Sequence, residues 1–587
     1  MNNLQEVFTD ALKDYEAGNL AKALSSLASL YNQNNDNPNF CYYYGNLLID
    51  TGEIDLALQI YVDFINKNTS CYEIWFNLGY IFQIKNDLTN AIACYENVTR
   101  LTPNLPEPYK NLATIYHLLN QSDESEKYYE KLIAMSYRDF DVCYNLAVIY
   151  FKKACYDKAL AFFNEAIIIN PNDELLYISL GDCYEKLKDY DKAISNYSKT
   201  IALNDKNYVA YNNIGFIHYN YYKNYEKAAY FYEQSLNYLD ESNTTIAYAI
   251  YNNMANIYYT RRDLPNAIKY YEKAYNLNQD DYVLSYNYGK TLILNGEYIK
   301  GFKFYDLCMY KYPQLCTLFD ESQYPMWKGQ SLKGKTIVVY EKAGFGDTFM
   351  FSRYIYLLKD LAEKVILLTK NEVHDLINYN FGDIVTVMKE NEFEKNQHID
   401  YQIPFLFCPF AFKTEIENIP SINGYLKPNP QRIEKFKKYF DTPKLKIGIA
   451  WKSKGDLRDI PFEYLNFLKD IKEIQVYSLQ KDAKTEHLAN IINLGALFDD
   501  FSDTCSAISQ LDMVISTDMA VPNLSGSMGV PTFVLLTYQQ DWRWGFNQEK
   551  SPWFNSVSCI VQDKNNDWES VINKLNTKLS SIIKDRH

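Results

Sequence analysis

Residues 140–207 read FDVCYNLAVIYFKKACYDKALAFFNEAIIINPNDELLYISLGDCYEKLKDYDKAISNYSKTIALNDKN and contain one pattern twice. In each copy a small residue is followed 12 positions later by a second small residue, and four positions after that by an aromatic residue. The copies lie 34 residues apart, so that Ala147 matches Gly181 and Phe163 matches Tyr197. A fixed period of this length predicts a stack of similar helical units, each covering the apolar face of the next.

The period continues on both sides of this segment. The first small residue occurs nine times, 34 residues apart except at one step: Ala11, Gly45, Gly79, Ala113, Ala147, Gly181, Gly215, Ala255 and Gly289. The spacing and residue types are typical of the tetratricopeptide repeat, a pair of antiparallel helices that serves protein binding. The sequence therefore predicts an all-α superhelical solenoid over residues 1–312. The spacing of 40 between Gly215 and Ala255 predicts a longer loop there.

An asparagine series runs two positions before the first small residue of most repeats. Its members are Asn77, Asn111, Asn145, Asn213, Asn253 and Asn287, with Ser179 in the remaining place. Asparagine offers both a donor and an acceptor, so a ladder on the inner face could hold an extended peptide backbone. The alternative is that these side chains serve neighbouring helices. The array resembles that of O-GlcNAc transferase, in which such a ladder holds the acceptor chain, and this resemblance implies a bound polypeptide.

The pattern changes after residue 313. Residues 313–335 are interpreted as a linker, and residues 336–428 alternate β-branched runs with helical segments, starting with KTIVVYE and KAGFGD. This order predicts a parallel sheet with right-handed crossovers, in which DYQIPFLFCPFAF (400–412) is expected to form a loop at the sheet edge. A second series of the same kind occupies residues 429–587. Two Rossmann-like halves predict a ligand cleft at the carboxyl ends of their strands.

The start of the first half matches a known motif. The matching residues are Pro325, Trp327, Gly329, Leu332, Gly334, Lys335, Glu341, Gly344, Gly346, Asp347, Phe351, Arg353 and Tyr354. With the later segments IGIAWKS, LDMVISTD, GSMGVPTFVLL and DWRW, this region resembles glycosyltransferase family 9, the heptosyltransferase group. The resemblance implies a GT-B fold that binds a nucleotide sugar without a bound metal, so no cofactor is expected.

The glycine turn carries the candidate catalytic residue. Gly344 and Gly346 allow a tight turn and a close approach of the backbone to a ligand. In the resembling family the residue that matches Asp347 is the proposed general base, which deprotonates the acceptor hydroxyl. The alternative is that Asp347 only caps the helix that follows.

Donor-binding candidates cluster after the strands of the second half. Cations and a hydroxyl suit the diphosphate of a nucleotide sugar, although a solvated basic loop would look the same. These candidates are Lys452, Ser453, Lys454, Arg458, Gln480 and Lys481. A further group is placed at a helix N-terminus, which offers free N–H groups to phosphate: Thr517, Asp518, Asn523 and Gly526.

Three residues of the second half bear further on the site. Asn523 stands where the resembling family usually has His, which implies a changed donor sugar or a loss of activity. Trp542 and Trp544 could stack on donor or acceptor, and their alternative is core packing. Trp542 is therefore a candidate acceptor contact.

The overall amino-acid composition argues against several kinds of partner and site. A net charge of −14 argues against nucleic acid as a partner, because phosphate binding requires Lys and Arg. Eleven cysteines without a Cys-x-x-Cys pair argue against a zinc site and for a reducing compartment. The sequence has no signal peptide pattern and no apolar run long enough to span a membrane, which predicts a cytoplasmic protein.

Together these patterns predict a protein O-glycosyltransferase. The repeats would hold a polypeptide, and the α/β half would transfer a sugar from a nucleotide sugar to Ser or Thr. Two alternatives remain open at this point. One is a scaffold with a degenerate, non-catalytic GT-B domain, and the other is a transferase for glycan or lipid-linked acceptors. The sugar, the nucleotide and the oligomeric state are not predicted.

Overall fold

The computed structural model describes residues 2–240, 242–311, 324–342, 344–394, 398–453, 458–482 and 490–586. It divides into two compact units, Met1–Tyr238 and Leu239–His587. Most of the predicted linker, residues 313–323, and the candidate Lys454 lie outside the described residues. The second unit joins the last two repeats to the α/β region, whereas the sequence suggested a division near residue 312.

The first unit consists of helices that pair in chain order, α1 with α2 and so on. Their bounds are α1 Asn2–Glu16, α2 Leu20–Gln33, α3 Pro38–Asp50, α4 Ile54–Ile65, α5 Tyr72–Ile84, α6 Leu88–Leu101, α7 Pro106–Leu118, α8 Ser122–Ala134, α9 Phe140–Lys152, α10 Tyr156–Ile169, α11 Glu174–Lys186, α12 Tyr190–Leu203, α13 Tyr208–Asn220 and α14 Tyr225–Tyr238. Many of these helices begin after an Asp or Asn whose side chain accepts a backbone N–H, as Asp189 does from Lys192 at 3.3 Å.

The small residue of the repeat permits close packing of the two helices. A Cβ added at Gly181 would lie 2.4 Å from the ring of Tyr197, and one at Gly45 would lie 2.3 Å from the ring of Tyr61. Both tyrosines are fully buried, so the aromatic ring fills the space that the glycine leaves. The aromatic residue of the second helix of a repeat thus packs directly on the small residue of the first.

The long spacing before Ala255 has a different origin from the one expected. The connection between α14 and the next helix, α15 (Thr244–Thr260), is residues 239–243, only one residue longer than the connection 204–207 of the preceding repeat. Helix α15 has 17 residues, whereas α13 has 13. The prediction of a long loop is wrong, because most of the insertion extends the helix by one turn.

The second unit contains α15 and three more repeat helices, followed by two parallel sheets. The remaining bounds are α16 Leu264–Leu277, α17 Tyr282–Leu294, α18 Tyr298–Lys311, β1 Thr336–Tyr340, α19 Phe345–Phe351, α20 Ile355–Leu361, β2 Lys364–Thr369, α21 Asn371–Phe381, β3 Thr386–Lys389, β4 Tyr401–Pro404, α22 Cys408–Ala411, α23 Pro430–Phe436, β5 Leu445–Ala450, β6 Ile474–Ser478, β7 Ile492–Asn493, α24 Phe501–Ile508, β8 Met513–Thr517, α25 Ala520–Ser527, β9 Thr532–Leu536, β10 Val557–Val561 and α26 Trp568–Arg586. Short 3₁₀ segments, of which residues 462–470 are the longest, connect several of them.

The described strands form two sheets. The first has the order β3-β2-β1-β4 and the second the order β10-β9-β8-β5-β6-β7, with all neighbours parallel. An α-helical array followed by an α/β region confirms the predicted fold class. The segment 400–412 is not a loop as predicted, because Tyr401–Pro404 forms the edge strand β4 beside β1.

The last repeats share a core with the α/β region. Tyr298 stacks on Trp553 with ring centroids 5.8 Å apart, and Phe302 meets Trp542 edge-on at 5.4 Å. Glu415 accepts the backbone N–H of Tyr298 at 3.2 Å and caps the start of α18. These contacts explain why the compact unit begins before α15. The last repeat thus contacts both halves of the α/β region.

Candidate functional site

A cleft of about 980 Å³ lies at the carboxyl ends of the strands of both sheets. Glu341 follows β1, Ala450 ends β5, Gln480 follows β6 and Asp518 follows β8. Parallel strands bring their carboxyl ends to the same edge, so side chains distant in sequence line one cavity. Ten of the fourteen site residues predicted in the α/β half line it.

Asp347 projects into this cleft from the first turn of α19 and is paired. Arg543 Nε donates to Asp347 Oδ1 at 2.6 Å, and Arg543 Nη1 donates to Asp541 Oδ1 at 2.9 Å. The guanidinium lies over the ring of Trp542, 4.5 Å from its centroid. Although burial opposes the charge of the Asp541 carboxyl, Arg543 holds its pKa below the ordinary value. Arg543 thus fixes two carboxylates at the floor of the cleft.

Glu341 is a second buried carboxylate of the first half. Lys370 Nζ lies 3.2 Å from Glu341 Oε1 as an ion pair. Burial raises the pKa of Glu341, and the nearby Lys370 offsets part of that shift. Neither carboxylate oxygen has a hydrogen-bond partner of good geometry among the described residues.

Asp518 lies at the end of β8 and accepts from two sides. Trp544 Nε1 donates to Asp518 Oδ1 at 2.9 Å, and Arg458 Nη1 donates to Oδ2 at 3.2 Å. Burial raises the pKa of Asp518, and the charge of Asp541 raises it further. Arg458 and Asp518 both line the cleft.

The loop after β5 is shaped by hydrogen bonds of its own. Gln480 Oε1 accepts the backbone N–H groups of Trp451 at 3.3 Å and Lys452 at 3.1 Å. Ser453 N donates to Asp459 Oδ1 at 2.7 Å. These bonds use the Gln480 amide oxygen to hold the loop. The Lys452 ammonium lines the cleft and makes no ion pair in the described part of the chain.

Lys481 completes this side of the cleft. Its Nζ donates to the carbonyl of Asp499 at 3.3 Å, while Asp482, Asp499 and Asp500 lie along the same rim. The Lys481 ammonium is therefore held by a neutral backbone carbonyl in the lining of the cleft.

Asn523 lies against the glycine turn. Its Nδ2 donates to Met519 O at 2.8 Å, and a Cβ added at Gly346 would lie 2.8 Å from that nitrogen. Gly346 is therefore required by the close approach of α25, and Gly344 also lines the cleft. The Asn523 oxygen is buried and accepts no hydrogen bond from the described residues.

Three predicted contacts are not in the cleft. Trp542 is 1% exposed and packs among Phe302, Phe351 and Trp553, so its ring is not free to stack on a ligand. A Cβ at Gly526 would meet the ring of Phe554 at 2.7 Å, which makes this glycine a packing residue. Thr517 is fully buried and does not line the cavity.

The asparagine series is half-buried and engaged between repeats. Asn77 Nδ2 donates to Asn46 Oδ1 at 2.5 Å, and Tyr61 donates to the same oxygen at 2.7 Å. Asn213 and Tyr197 share an oxygen of Asp182 in the same way, at 3.3 and 2.7 Å. These contacts agree with the alternative in which the asparagines form hydrogen bonds between neighbouring helices. Peptide binding by the series, including Asn111, Asn145, Asn253 and Asn287, stays a prediction.

Several lining residues were not predicted. Arg543 forms ion pairs with Asp347 and Asp541, and Lys370 forms one with Glu341. Phe345 contacts Phe501 with the two rings tilted and their centroids 5.1 Å apart. In the segment DWRW, Arg543 stands between two tryptophans and two residues after Asp541. An arginine in this setting was the available sequence signal.

The described residues contain neither a helix suited to cross a membrane nor a cluster suited to bind a metal ion. No described helix is long and apolar enough to cross a membrane. No group of three or more His, Cys, Asp or Glu side chains is arranged to hold a metal ion in the part of the chain that the structure describes.

Comparison with known proteins identifies the repeats. Models of the tetratricopeptide repeat match residues 79–120, 107–139, 140–173, 176–207 and 248–281. The chain therefore carries tetratricopeptide repeats in its N-terminal half, as predicted, and such repeats support binding of protein partners.

Known relatives are similar over part of the chain. Protein FlbA of Caulobacter vibrioides is 26% identical over 292 residues, which cover 43% of this chain and 48% of FlbA. The chain thus spans about half the length of this curated relative. Among solved structures, YrrB, a TPR protein with an unusual peptide-binding site, is 20% identical with a TM-score of 0.29, covering 32% of this chain and 94% of YrrB. MamA is 23% identical with a TM-score of 0.28, covering 30% of this chain and 93% of MamA.

Proposed function

We propose that this chain is a glycosyltransferase that moves a sugar from a nucleotide-sugar donor to a hydroxyl of a polypeptide held by its repeats. The observation that carries the proposal is the Asp347 carboxylate, 7% exposed, in a cleft between the carboxyl ends of two parallel sheets. This is the place where open α/β folds bind ligands. The proposed GT-B family of the α/β half rests on the motif resemblance.

Asp347 is suited to act as a general base. Arg543 occupies Oδ1, and no described residue donates to Oδ2. In the proposed reaction Oδ2 accepts the proton of a Ser or Thr hydroxyl while that oxygen bonds to the anomeric carbon. The bond from the anomeric carbon to the diphosphate oxygen breaks, and its electron pair leaves with the nucleoside diphosphate.

The leaving diphosphate requires positive charge. Lys452 is the cation best placed for this role, because its ammonium makes no ion pair in the described part of the chain. Arg458 lies at the same side of the cleft and is shared with Asp518. The N-terminus of α25 adds backbone N–H groups that stabilise phosphate oxygens. The proposal assigns the charge to these groups rather than to a metal ion.

The repeats supply the acceptor in this proposal. Tetratricopeptide repeats are protein-binding elements, and the last two are built into the same compact unit as the cleft. A bound polypeptide is therefore a more economical acceptor than a glycan or a lipid-linked sugar.

A binding scaffold is the second candidate. Two observations favour it. Asn523 replaces the His of the resembling family, and carboxylates outnumber cations among the residues that line the cleft. A scaffold would need the repeats alone and would bind no nucleotide.

The test separates the two by binding and by mass. Titration calorimetry with nucleoside diphosphates and their sugars should give binding, and candidate acceptors co-expressed with the chain should gain the mass of a sugar. Asp347→Asn should retain nucleotide binding and lower transfer by about 10²- to 10⁴-fold. Asp383→Asn, an exposed carboxylate of the same half, is the matched control and should transfer normally. A folded wild-type chain that binds no nucleotide and modifies no acceptor would establish the scaffold instead.

A further inference from the structure

Three buried oxygens in the cleft accept no hydrogen bond of good geometry from the described residues, although Lys370 Nζ forms an ion pair with one of them, Glu341 Oε1, at 3.2 Å. They are Oε1 and Oε2 of Glu341, which is 5% exposed, and Oδ1 of Asn523, which is 3% exposed. Both residues line the cavity. A buried acceptor without a hydrogen bond costs about 1–3 kcal/mol, so Glu341 Oε2 and Asn523 Oδ1 in one cavity indicate groups that a ligand satisfies.

The orientation of Asn523 is fixed by its own helix. Because Nδ2 donates to Met519 O at 2.8 Å, the free atom is the oxygen, which is an acceptor. The side chain lies against Gly346, immediately before Asp347. The Asn523 side chain therefore lies close to the turn that carries Asp347.

Glu341 approaches the same turn from β1. The Thr348 hydroxyl, which follows Asp347 in α19, lies close to the Glu341 carboxylate and helps to lower its pKa. Lys370 balances the charge of Glu341, and Glu372 stands nearby in the lining with no ion pair in the described part of the chain. The local side chains thus offer acceptors and a surplus of negative charge.

The chemistry of these groups selects a class of ligand. Acceptor oxygens bind O–H or N–H donors, and a ring carrying several hydroxyls supplies them. A ligand carboxylate would bring acceptor against acceptor and negative charge against Glu341 and Glu372, which is the repulsive element that specificity requires.

We propose that Glu341 and Asn523 bind hydroxyls of the transferred sugar, and that the cleft accepts a neutral sugar and rejects a uronic acid. This rests on the proposed function, because it places the donor sugar beside Asp347. Beyond the proposed function, the inference names the class of sugar and the two residues that recognise it.

The test compares nucleotide sugars that differ only in this group. Calorimetry on the full chain uses UDP-glucose with UDP-glucuronic acid, GDP-mannose with GDP-mannuronic acid, and the free UDP and GDP. The neutral member of the pair that carries the preferred nucleotide should bind about tenfold or more tightly than the uronate, because like charges are opposed in a buried site.

Two variants and a control test whether Glu341 and Asn523 cause the preference for the neutral sugar. Glu341→Gln should reduce the preference to less than about threefold, and Asn523→Ala should weaken the neutral sugar by about tenfold while free nucleoside diphosphate binds as before. Glu363→Gln, an exposed position of the same half, should change nothing. Thermal unfolding checks that each variant is folded.

The possible failures are distinguishable. Equal binding of the neutral sugar and the uronate by the wild-type chain would overturn the inference while the nucleotide site stands. An unchanged preference in a folded Glu341→Gln variant would do the same. If neither free nucleoside diphosphate binds, the proposed function falls and this inference falls with it.

Discussion

Arg262 Nη2 donates to Gln540 Oε1 at 2.6 Å and joins the eighth repeat to the loop that carries Arg543. The same guanidinium contacts Asn547 and lies between the rings of Tyr538 and Phe546, 4.8 and 5.0 Å from their centroids. Burial lowers the pKa of Arg262, but a guanidinium stays charged in proteins. The repeat therefore holds residues 538–547 in place, and with them the partner of Asp347.

Replacing Arg262 should loosen this loop. Arg262→Met removes two hydrogen bonds from a charged donor and two ring contacts, and we expect a loss of about 2 kcal/mol or more in the free energy of unfolding. Urea unfolding of the full chain measures it, and hydrogen exchange should show faster opening of residues 538–547.

The neighbouring Arg261 gives the control. It is exposed, so Arg261→Met should change the free energy of unfolding by less than about 0.5 kcal/mol. If the two variants unfold alike, Arg262 is not the anchor of the loop.

Glu415 makes a second connection between the repeats and the α/β region. Its carboxylate accepts from the first N–H groups of α18, at 3.2 Å from Tyr298 N and 3.4 Å from Ile299 N. A carboxylate at this end also favours the helix dipole. Glu415→Ala should therefore lower the free energy of unfolding by about 1–2 kcal/mol.

The control for Glu415 stands two residues away. Glu417 is exposed in the same turn, and Glu417→Ala should be neutral in the same unfolding experiment. Raising the salt concentration should reduce the effect of Glu415→Ala only partly, because the hydrogen bonds are not screened as a distant charge is. Equal stability of the two variants would show that the cap contributes nothing.

The repeats could be predicted because their contacts are local and periodic. The packing of Gly181 on Tyr197 follows from the spacing of 16 residues alone. The residues that line the cleft could be predicted to meet for a similar reason. Asp347, Lys452 and Asp518 each follow a parallel strand, and such strands end at one edge.

The missed features depend on contacts between distant segments. Arg543 becomes important only because the loop after β9 reaches Asp347, and no local pattern specifies that distance. The burial of Trp542 depends on Phe302 of the ninth repeat, which a division near residue 312 separates from it. The sequence predicts a loop at Tyr401–Pro404, because a strand of four residues is too short to show the alternation of apolar and polar side chains.

Filling the glycine position of a repeat should strain the array. A Cβ at residue 181 would lie 2.4 Å from Tyr197, so Gly181→Ala should cost about 1–3 kcal/mol in spite of the better helix propensity of Ala. Combining it with Tyr197→Leu should recover part of the loss relative to the sum of the single changes, because the ring is then absent. Urea unfolding of the four proteins measures the coupling, and additive effects would contradict direct packing of the two residues.

Asp518 should make stability depend on pH in a defined direction. Burial, followed by the charge of Asp541, raises its pKa above the unfolded value, so the folded chain takes up this proton first as the pH falls. The contribution of Asp518 to the free energy of unfolding is therefore complete below its pKa in the unfolded chain. It is lost as the pH rises through its pKa in the folded chain, with a slope of at most about 1.4 kcal/mol per pH unit.

Asp518→Asn removes this dependence while its amide oxygen still accepts from Trp544 Nε1. The variant should be more stable than the wild type at neutral pH, and its advantage should shrink as the pH falls, because the wild-type carboxyl then becomes neutral too. Arg458 loses its partner at little cost, since its side chain is 49% exposed and stays hydrated. Unfolding free energies from neutral pH to pH 4 measure the difference, with Asp383→Asn as the exposed control. A difference that is constant with pH would show that Asp518 is equally charged in both states.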